Sequence, residues 1–433
     1  MKKTLKIMAL VLALVMVFAC LAGCKKPAKN DVAATYTYNY AMSEFPTNWS
    51  YTNNQTATDS EILDYISAGF YTFDYNESKT GYQMVDGMAV GDPKDVTSQY
   101  VGKYGIEEGD KGKAYVITLR DDLKWEDGTK ITANDFVESA KRLLEPKAQN
   151  HRADLMYSGS VCIVNAENYL KQGQTINVAA DSVYDAYSAD LDASLIFTLA
   201  PPANGNGECA MRTSWGFPAS YDAAACANYI IGGYGADMPA FTAEAAAAME
   251  GKTLAEIKAD ATLKAAWDEL IVWWAEENGE LHFCLTGKTY PELAWENNVG
   301  WFALSDTELC FIMTKELSGF YLKYGLPAPL VHIATYDACA SEVDGVYTNT
   351  YGTSAETTKS FGPYKLTSFQ KDKQYILERN DNYFGLTEGT YQTTSIVVDC
   401  VPEATTRLEL FRQGKLDTYG LTIDDMATYQ LSD

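Results

Sequence analysis

Histidine is scarce in this sequence, with 3 in 433 residues, and His151, His282 and His332 stand far apart. With no Cys-x-x-Cys pair either, there is little material for a zinc site, and no metal or cofactor is expected. Each histidine reads as a hydrogen-bonded structural residue, because a catalyst needs a base, a nucleophile and an orienting group together. Positive charge is also short: 34 Lys and Arg face 58 Asp and Glu, for a net charge of −24. That balance excludes a nucleic-acid binder, which must neutralise phosphates. There is no Gly-x-Ser-x-Gly, no His-Glu-x-x-His and no phosphate loop, and Gly233-Tyr234-Gly235 lacks the third glycine of a dinucleotide fingerprint. Carboxylate pairs do occur, at Asp121-Asp122 and Glu276-Glu277, and such pairs can cleave glycosides. With this many acidic residues, however, neighbours arise by chance and usually form a solvated face. The chain is not expected to be an enzyme.

What is present in quantity is apolar and aromatic. The chain is 47% hydrophobic and 21% charged, with 30 Tyr, 16 Phe and 8 Trp. That is a globular composition with a sizeable core, and the length suits two or three domains. The rings suit stacking on a polar ligand as well as filling a core.

The first 23 residues do not belong to the fold. Lys2, Lys3 and Lys6 precede the uncharged run Ile7 to Gly23, which is short for a spanning helix of about 20 residues. Small residues then lead to Cys24, as at a secretory cleavage point. Leu21-Ala22-Gly23-Cys24 resembles the lipobox of bacterial lipoproteins. The resemblance implies a signal peptide over 1–23, a lipidated Cys24 and a tether over 24–34, holding the body at the outer face of the cytoplasmic membrane. Export permits disulfides, and the seven cysteines from Cys162 to Cys400 are an odd number, so at least one stays out of any intrachain pair.

Hydrophobic spacing organises the rest. Tyr36, Tyr38 and Tyr40 alternate as a strand, a polar loop spans 47–59, and Ile62, Ile66 and Phe70 recur at helical spacing. Tyr115, Ile117 and Leu119 read as a strand. Asp127-Gly128 is a turn, and Thr132 with Asp135 is a capping pair for a helix through Leu144 that Pro146 closes. Residues 172–300 form an insertion. Its loops cover 181–192 and 201–208, Ala243–Met249 is helical, and Leu263, Ala266, Trp267, Leu270, Ile271 and Trp274 form an amphipathic stripe. Strands follow at 364–369, 374–379, 395–401 and 416–421, with a helix at 405–413 capped by Gly414. Alternating elements of this kind predict an α/β fold with parallel pairings.

Three segments together resemble a known family. The first is Trp125-Glu126-Asp127-Gly128 with Ile131 to Val137 and Arg142 to Pro146. The second is Gly362-Pro363-Tyr364-Lys365-Leu366 with Leu377 to Tyr383. The third runs from Arg407-Leu408 to Phe411-Arg412-Gln413-Gly414-Lys415-Leu416-Asp417. In this order they are similar to the family 5 extracellular solute-binding proteins, the oligopeptide-, dipeptide- and nickel-binding components of ABC importers. The likeness covers roughly 35–170 and 305–425.

The resemblance implies a periplasmic-binding-protein-like fold of type II that closes over a peptide, captured for a permease and its ATPase by a monomer. The expected layout is a discontinuous lobe at 35–70 and 330–427 and an appended mixed α/β domain at 71–329. A second lobe, begun at 428–433, is expected to be largely missing. Residues 24–433 alone are therefore expected to bind peptides no tighter than about millimolar, roughly −4 kcal/mol. Ligand-facing positions carried over are Asn53, Asn54, Gln55 and Thr56, Arg152 where the family often has Tyr, and Tyr419, Gly420 and Leu421 where it has a Tyr-Asn-Asn stretch. Two of those last three differ. Alternatives on the same fold are a surface peptide sensor or adhesin, or a nickel, haem or sugar ligand; a secreted hydrolase is the alternative outside it.

Overall fold

A computed structural model describes residues 35–177, 193–199, 222–278, 285–387, 389–421, 423 and 425–426. The chain divides into two compact units, one of residues 1–45, 364–379 and 386–433, the other of residues 46–363 and 380–385. None of the helices among the described residues is long and apolar enough to cross a membrane. Cys24, Cys209, Cys284 and the loops expected at 181–192 and 201–208 fall outside the described residues, Cys284 and the loops' ends included.

The smaller unit is built on a four-stranded sheet in the order Thr37–Met42, Ser395–Cys400, Gln374–Arg379, Tyr364–Gln370. Alternation puts Tyr375, Leu377, Ile396 and Val398 on a buried face. Phe45 closes that face, its ring 5.1 Å from Tyr375 and 5.9 Å from Phe369. Thr37–Met42 runs parallel to Ser395–Cys400, while the other strand pairs of the described residues are antiparallel. The expectation of parallel pairing thus holds at one ladder only, because the remaining connections are hairpins and returns, not helical crossovers. The helix Ala404–Arg412 ends at Gly414, whose φ of +69° suits glycine. The strand expected at 416–421 does not form. Asp417 alone pairs there, its N–H donating to Asn39 O at 2.8 Å and its carboxylate accepting from Asn39 N–H at 2.6 Å.

In the larger unit an antiparallel sheet runs Ala89–Asp95, Ala114–Leu119, Glu308–Ile312, Trp301–Ala303. The helix Ala133–Leu143 shares its core, with Phe136, Val137, Ala140 and Leu143 buried among the strand residues Ile117, Leu119, Leu309 and Phe311. The capping pair is formed: Thr132 and Asp135 bond reciprocally. Trp125 is 2% exposed, edge-on to Phe361 at 5.3 Å. The motifs tie this region together. Glu126 accepts from Ser360 N–H, Asn382 donates to Glu126 O, and Asn380 donates to Gly362 O. These residues set turns, as their types suggest.

The insertion has its own core. Leu263, Ala266, Trp267 and Leu270 of the helix Ala261–Asn278 pack with Phe197, Ile230, Phe241 and Met249. The Trp274 side chain is outside those described. Two expected boundaries move. The helix carrying Ile62 is Ala57–Ile66, so Phe70 lies beyond it. Residues 46–70 and 330–363, expected with the strands of the smaller unit, belong instead to the larger one. The physical reason is apolar burial: the Phe70 ring lies 4.9 Å from that of Phe136, tilted by 39°, inside the larger core.

Candidate functional site

The polar loop before Ala57–Ile66 is organised by one carboxylate. Asp59 is 3% exposed. Its Oδ1 accepts from Thr47 N–H at 2.8 Å and Asn48 N–H at 3.1 Å, and its Oδ2 from Gln55 N–H at 3.2 Å and Thr56 N–H at 3.1 Å. Burial by itself would raise the Asp59 pKa, but these donors outweigh it and hold the carboxyl below the ordinary carboxylate range. Thr56 caps the helix, its hydroxyl accepting from Asp59 N–H at 3.0 Å.

The structure brings this loop together with the segment around Arg152. Asn53 Nδ2 donates to Asn150 Oδ1 at 2.9 Å, and Asn53 Oδ1 accepts from His151 N–H at 3.1 Å. Arg152 N–H donates to Thr52 O at 3.0 Å. Asn54 donates to Ser60 Oγ, and Gln55 keeps an exposed side chain. Of the four loop candidates, then, Asn53, Asn54 and Thr56 spend side-chain groups on holding the loop.

Two buried atoms beside them make no hydrogen bond: Arg152 Nε and Asp154 Oδ1. One is a donor and the other an acceptor. Beside them Tyr51 is held by the Ala328 N–H, which donates to its hydroxyl at 3.2 Å. Burial pushes the Tyr51 pKa up to about 12, and the Ala328 bond and the Arg152 charge oppose this only in part, so the phenol stays neutral. Unpaired buried polar groups cost stability, on the order of 1–3 kcal/mol each, and are worth an explanation wherever they occur. A neutral hydroxyl, one N–H donor and one carboxylate acceptor suit binding a polar ligand.

Tyr419, Gly420 and Leu421 belong to the smaller unit. The Tyr419 hydroxyl donates to Asp425 Oδ2 at 2.9 Å, and Leu421 is exposed. The carboxylate pair at Asp121-Asp122 is a salt-bridge partner: Asp122 accepts two bonds of 2.9 Å from Arg120. The Glu276 and Glu277 side chains lie outside those described. Among the described residues no group of His, Cys, Asp and Glu could hold a metal ion. Cys162, Cys310, Cys339 and Cys400 form no disulfide.

Sequence reasoning missed Asp59, Tyr51, Asn150 and Asp154. The Thr-x-x-Asp spacing of Thr56 and Asp59 is a capping signal that could have found the first. Nothing in the local pattern marks the others, since their meeting depends on segments about 100 residues apart or more.

Known proteins share this organisation. A dipeptide-binding protein of Lactococcus lactis is 36% identical over 99 residues, covering 22% of this chain and 16% of its own length. An oligopeptide-binding protein, OppA, of Bacillus subtilis is 32% identical over 80 residues, covering 18% and 13%. Among solved structures, the substrate-binding domain of an oligopeptide ABC transporter from Bacillus anthracis matches 93% of this chain and 48% of its own, with a TM-score of 0.50 at 16% identity. Listeria monocytogenes OppA bound to peptide matches 92% and 49%, with a TM-score of 0.50 at 14% identity. The chain thus spans about half the length of these structures and a smaller share of the curated relatives. The structural likeness shows the fold, the α/β type II architecture of periplasmic binding proteins. The model of the bacterial extracellular solute-binding proteins, family 5, matches residues 96–230 and 240–433, well over half of the sequence, and the chain belongs to that family.

Proposed function

We propose that this chain is the peptide-capturing component of an ABC importer, exported and held at the cell surface by a lipid on Cys24, and acting without catalysis. It would hand its ligand to a permease driven by an ATPase, as a monomer. Family membership supports a solute binder, and the relatives named for dipeptides and oligopeptides make peptide the favoured solute. The observation that carries the reading is the two buried atoms without partners, Arg152 Nε and Asp154 Oδ1, on the segment that the Arg152 N–H ties to Thr52 O. Both atoms are closed to solvent here, so the segment must open for a peptide group to offer a carbonyl to the first and an N–H to the second.

The test is an NMR titration of the chain with a mixed tri- to pentapeptide pool. Shifts centred on residues 50–56 and 152–154, at about millimolar concentration, are expected. Arg152→Met should abolish them while leaving the spectrum otherwise intact. Shifts that survive this change, or none at all, would overturn the reading. For the anchor, Cys24→Ala should release the protein from the membrane fraction of the cells that make it; retention in the pellet would refute lipidation.

A further inference from the structure

Elsewhere in the larger unit lies a groove of about 790 Å³. That is within the roughly 300–1,000 Å³ usual for small-molecule sites. Its lining includes Tyr100, Tyr104 and Phe302. The rings touch one another: Tyr104 and Phe302 lie within 17° of parallel at 6.1 Å, and Tyr100 stands edge-on to both at 6.1 and 6.0 Å. All three are half-buried over a small core of Val96, Ile106, Val116, Cys310 and Ile312.

The rings are held in place. The Cys310 thiol donates to the Tyr100 hydroxyl at 3.6 Å, and burial keeps that thiol protonated, with a pKa of about 11. Phe302 is fixed by the strand Trp301–Ala303. Tyr104 has a φ of 54°, and Asn297, also in the lining, has a φ of 65°. For a ring-bearing residue the left-handed region costs on the order of 1–3 kcal/mol. Such strain is retained where the surrounding structure imposes it, and it gathers at ligand clamps.

The lining chemistry narrows the ligand. Lys141 is already bridged to Glu138 at 3.0 Å and to Glu296, itself in the lining, at 3.2 Å. The Lys141 and Glu296 charges therefore largely cancel, the lining's other cation, Lys103, is exposed to water, and the polar groups that remain include the amides of Asn134 and Asn297. Aromatic faces with neutral amide donors and acceptors suit a polyhydroxylated ring: its C–H face packs on the rings and its hydroxyls bond the amides. An extended peptide would draw its affinity from a strand edge, and the edge strand here has only three residues. We propose that this groove binds a neutral oligosaccharide, stacked against Tyr104 and Phe302 and bonded by Asn134 and Asn297.

The experiment is an NMR titration of the chain with cellohexaose, chitohexaose and xylohexaose in turn. At least one should shift resonances of Tyr100, Tyr104 and Phe302. Phe302→Ala and Tyr104→Gly should each weaken that binding about tenfold, the worth of one stacked ring. Tyr104→Gly guards against misfolding, because glycine suits the backbone at that position. Groove shifts from none of the three sugars at millimolar concentration would overturn the proposal, as would unchanged binding by both variants. Displacement of the sugar by the tri- to pentapeptide pool would also overturn it, in favour of a peptide groove. The peptide response at residues 50–56 is read in the same spectra, so the two readings fail separately.

Discussion

The loops at 47–56 and 101–106 fold by different means. The first is polar in most positions, and although Asn53 and Asn54 N–H also bond Ser50 O, side chains do most to shape it: Asp59 gathers four backbone N–H groups, Asn53 bridges to Asn150, and Thr56 caps a helix. The second is shaped by its backbone. Gly102 and Ile106 pair N–H to O at 2.9 Å, Lys103 donates to Tyr100 O, and Gly102, Tyr104 and Gly105 all take positive φ. Ile106 anchors it in the core, which leaves Tyr104 to face the groove. The lesson is that polarity in a loop is a poor guide to what meets a ligand. Polar side chains are often consumed by the loop itself, whereas a loop built from backbone bonds leaves its side chains available.

The comparison breaks most directly at Asp59. Asp59→Ala would leave the N–H groups of Thr47, Asn48, Gln55 and Thr56 without their acceptor. At roughly 1 kcal/mol or more per unsatisfied group, and with water reaching part of the loop, a loss of about 3 kcal/mol is expected. Denaturant unfolding measures it. A loss below about 1 kcal/mol would mean that the loop holds its shape without the carboxylate.

The same residue predicts an acid response. Its carboxyl is held below the ordinary carboxylate range in the folded chain, so the unfolded chain binds the proton more readily. This contribution is complete above the ordinary carboxylate pKa of about 4 and is lost as pH falls through the lower folded value. Asp59→Asn should flatten the acid limb of a stability–pH curve below about pH 4. An unchanged acid limb would place the titrating groups elsewhere.

Much of the scaffold was legible because local rules and tertiary packing agreed. The 3.6-residue spacing from Phe136 to Leu144, with Thr132, Asp135 and Pro146, described a helix that forms at Ala133–Leu143. Failures fell where a long-range fact decided the outcome. Leu416 to Leu421 has strand composition, yet Asp417 finds a partner only at Asn39, and one paired residue makes no ladder. The pairing of Asn53 with the 150–152 segment was equally invisible, since no local pattern joins positions 97 residues apart. Arg152 was singled out by its place in a family pattern. Its unpaired Nε is a property that only the folded neighbourhood can show.

A milder test separates capping from ligand contact at Thr56. Thr56→Ala should cost about 1 kcal/mol of stability, and Thr56→Ser almost none, because serine caps as well as threonine. If Thr56 instead faced a ligand, the alanine variant would lose peptide-induced shifts at unchanged stability.

The sharpest test is a difference of similar size, and it concerns Tyr104. At most positions alanine is more stable than glycine, because glycine loses more backbone freedom on folding. At a φ of 54° the order should reverse: alanine keeps the steric conflict of its Cβ, whereas glycine has none. Both substitutions remove the ring and its packing on Phe302 and Tyr100, so that loss cancels between them. The difference left is the backbone term, and Tyr104→Gly should exceed Tyr104→Ala in stability by about 1 kcal/mol. The flanking Gly102 and Gly105 already have positive φ, so the turn can hold its course with glycine at 104. Paired denaturant curves on the two variants give the number directly. If alanine proves the more stable, the loop relaxes to an ordinary conformation once the ring is gone. Its left-handed turn would then be imposed by the ring itself, and the distinction between a loop shaped by its backbone and one shaped by its side chains would fail at this position.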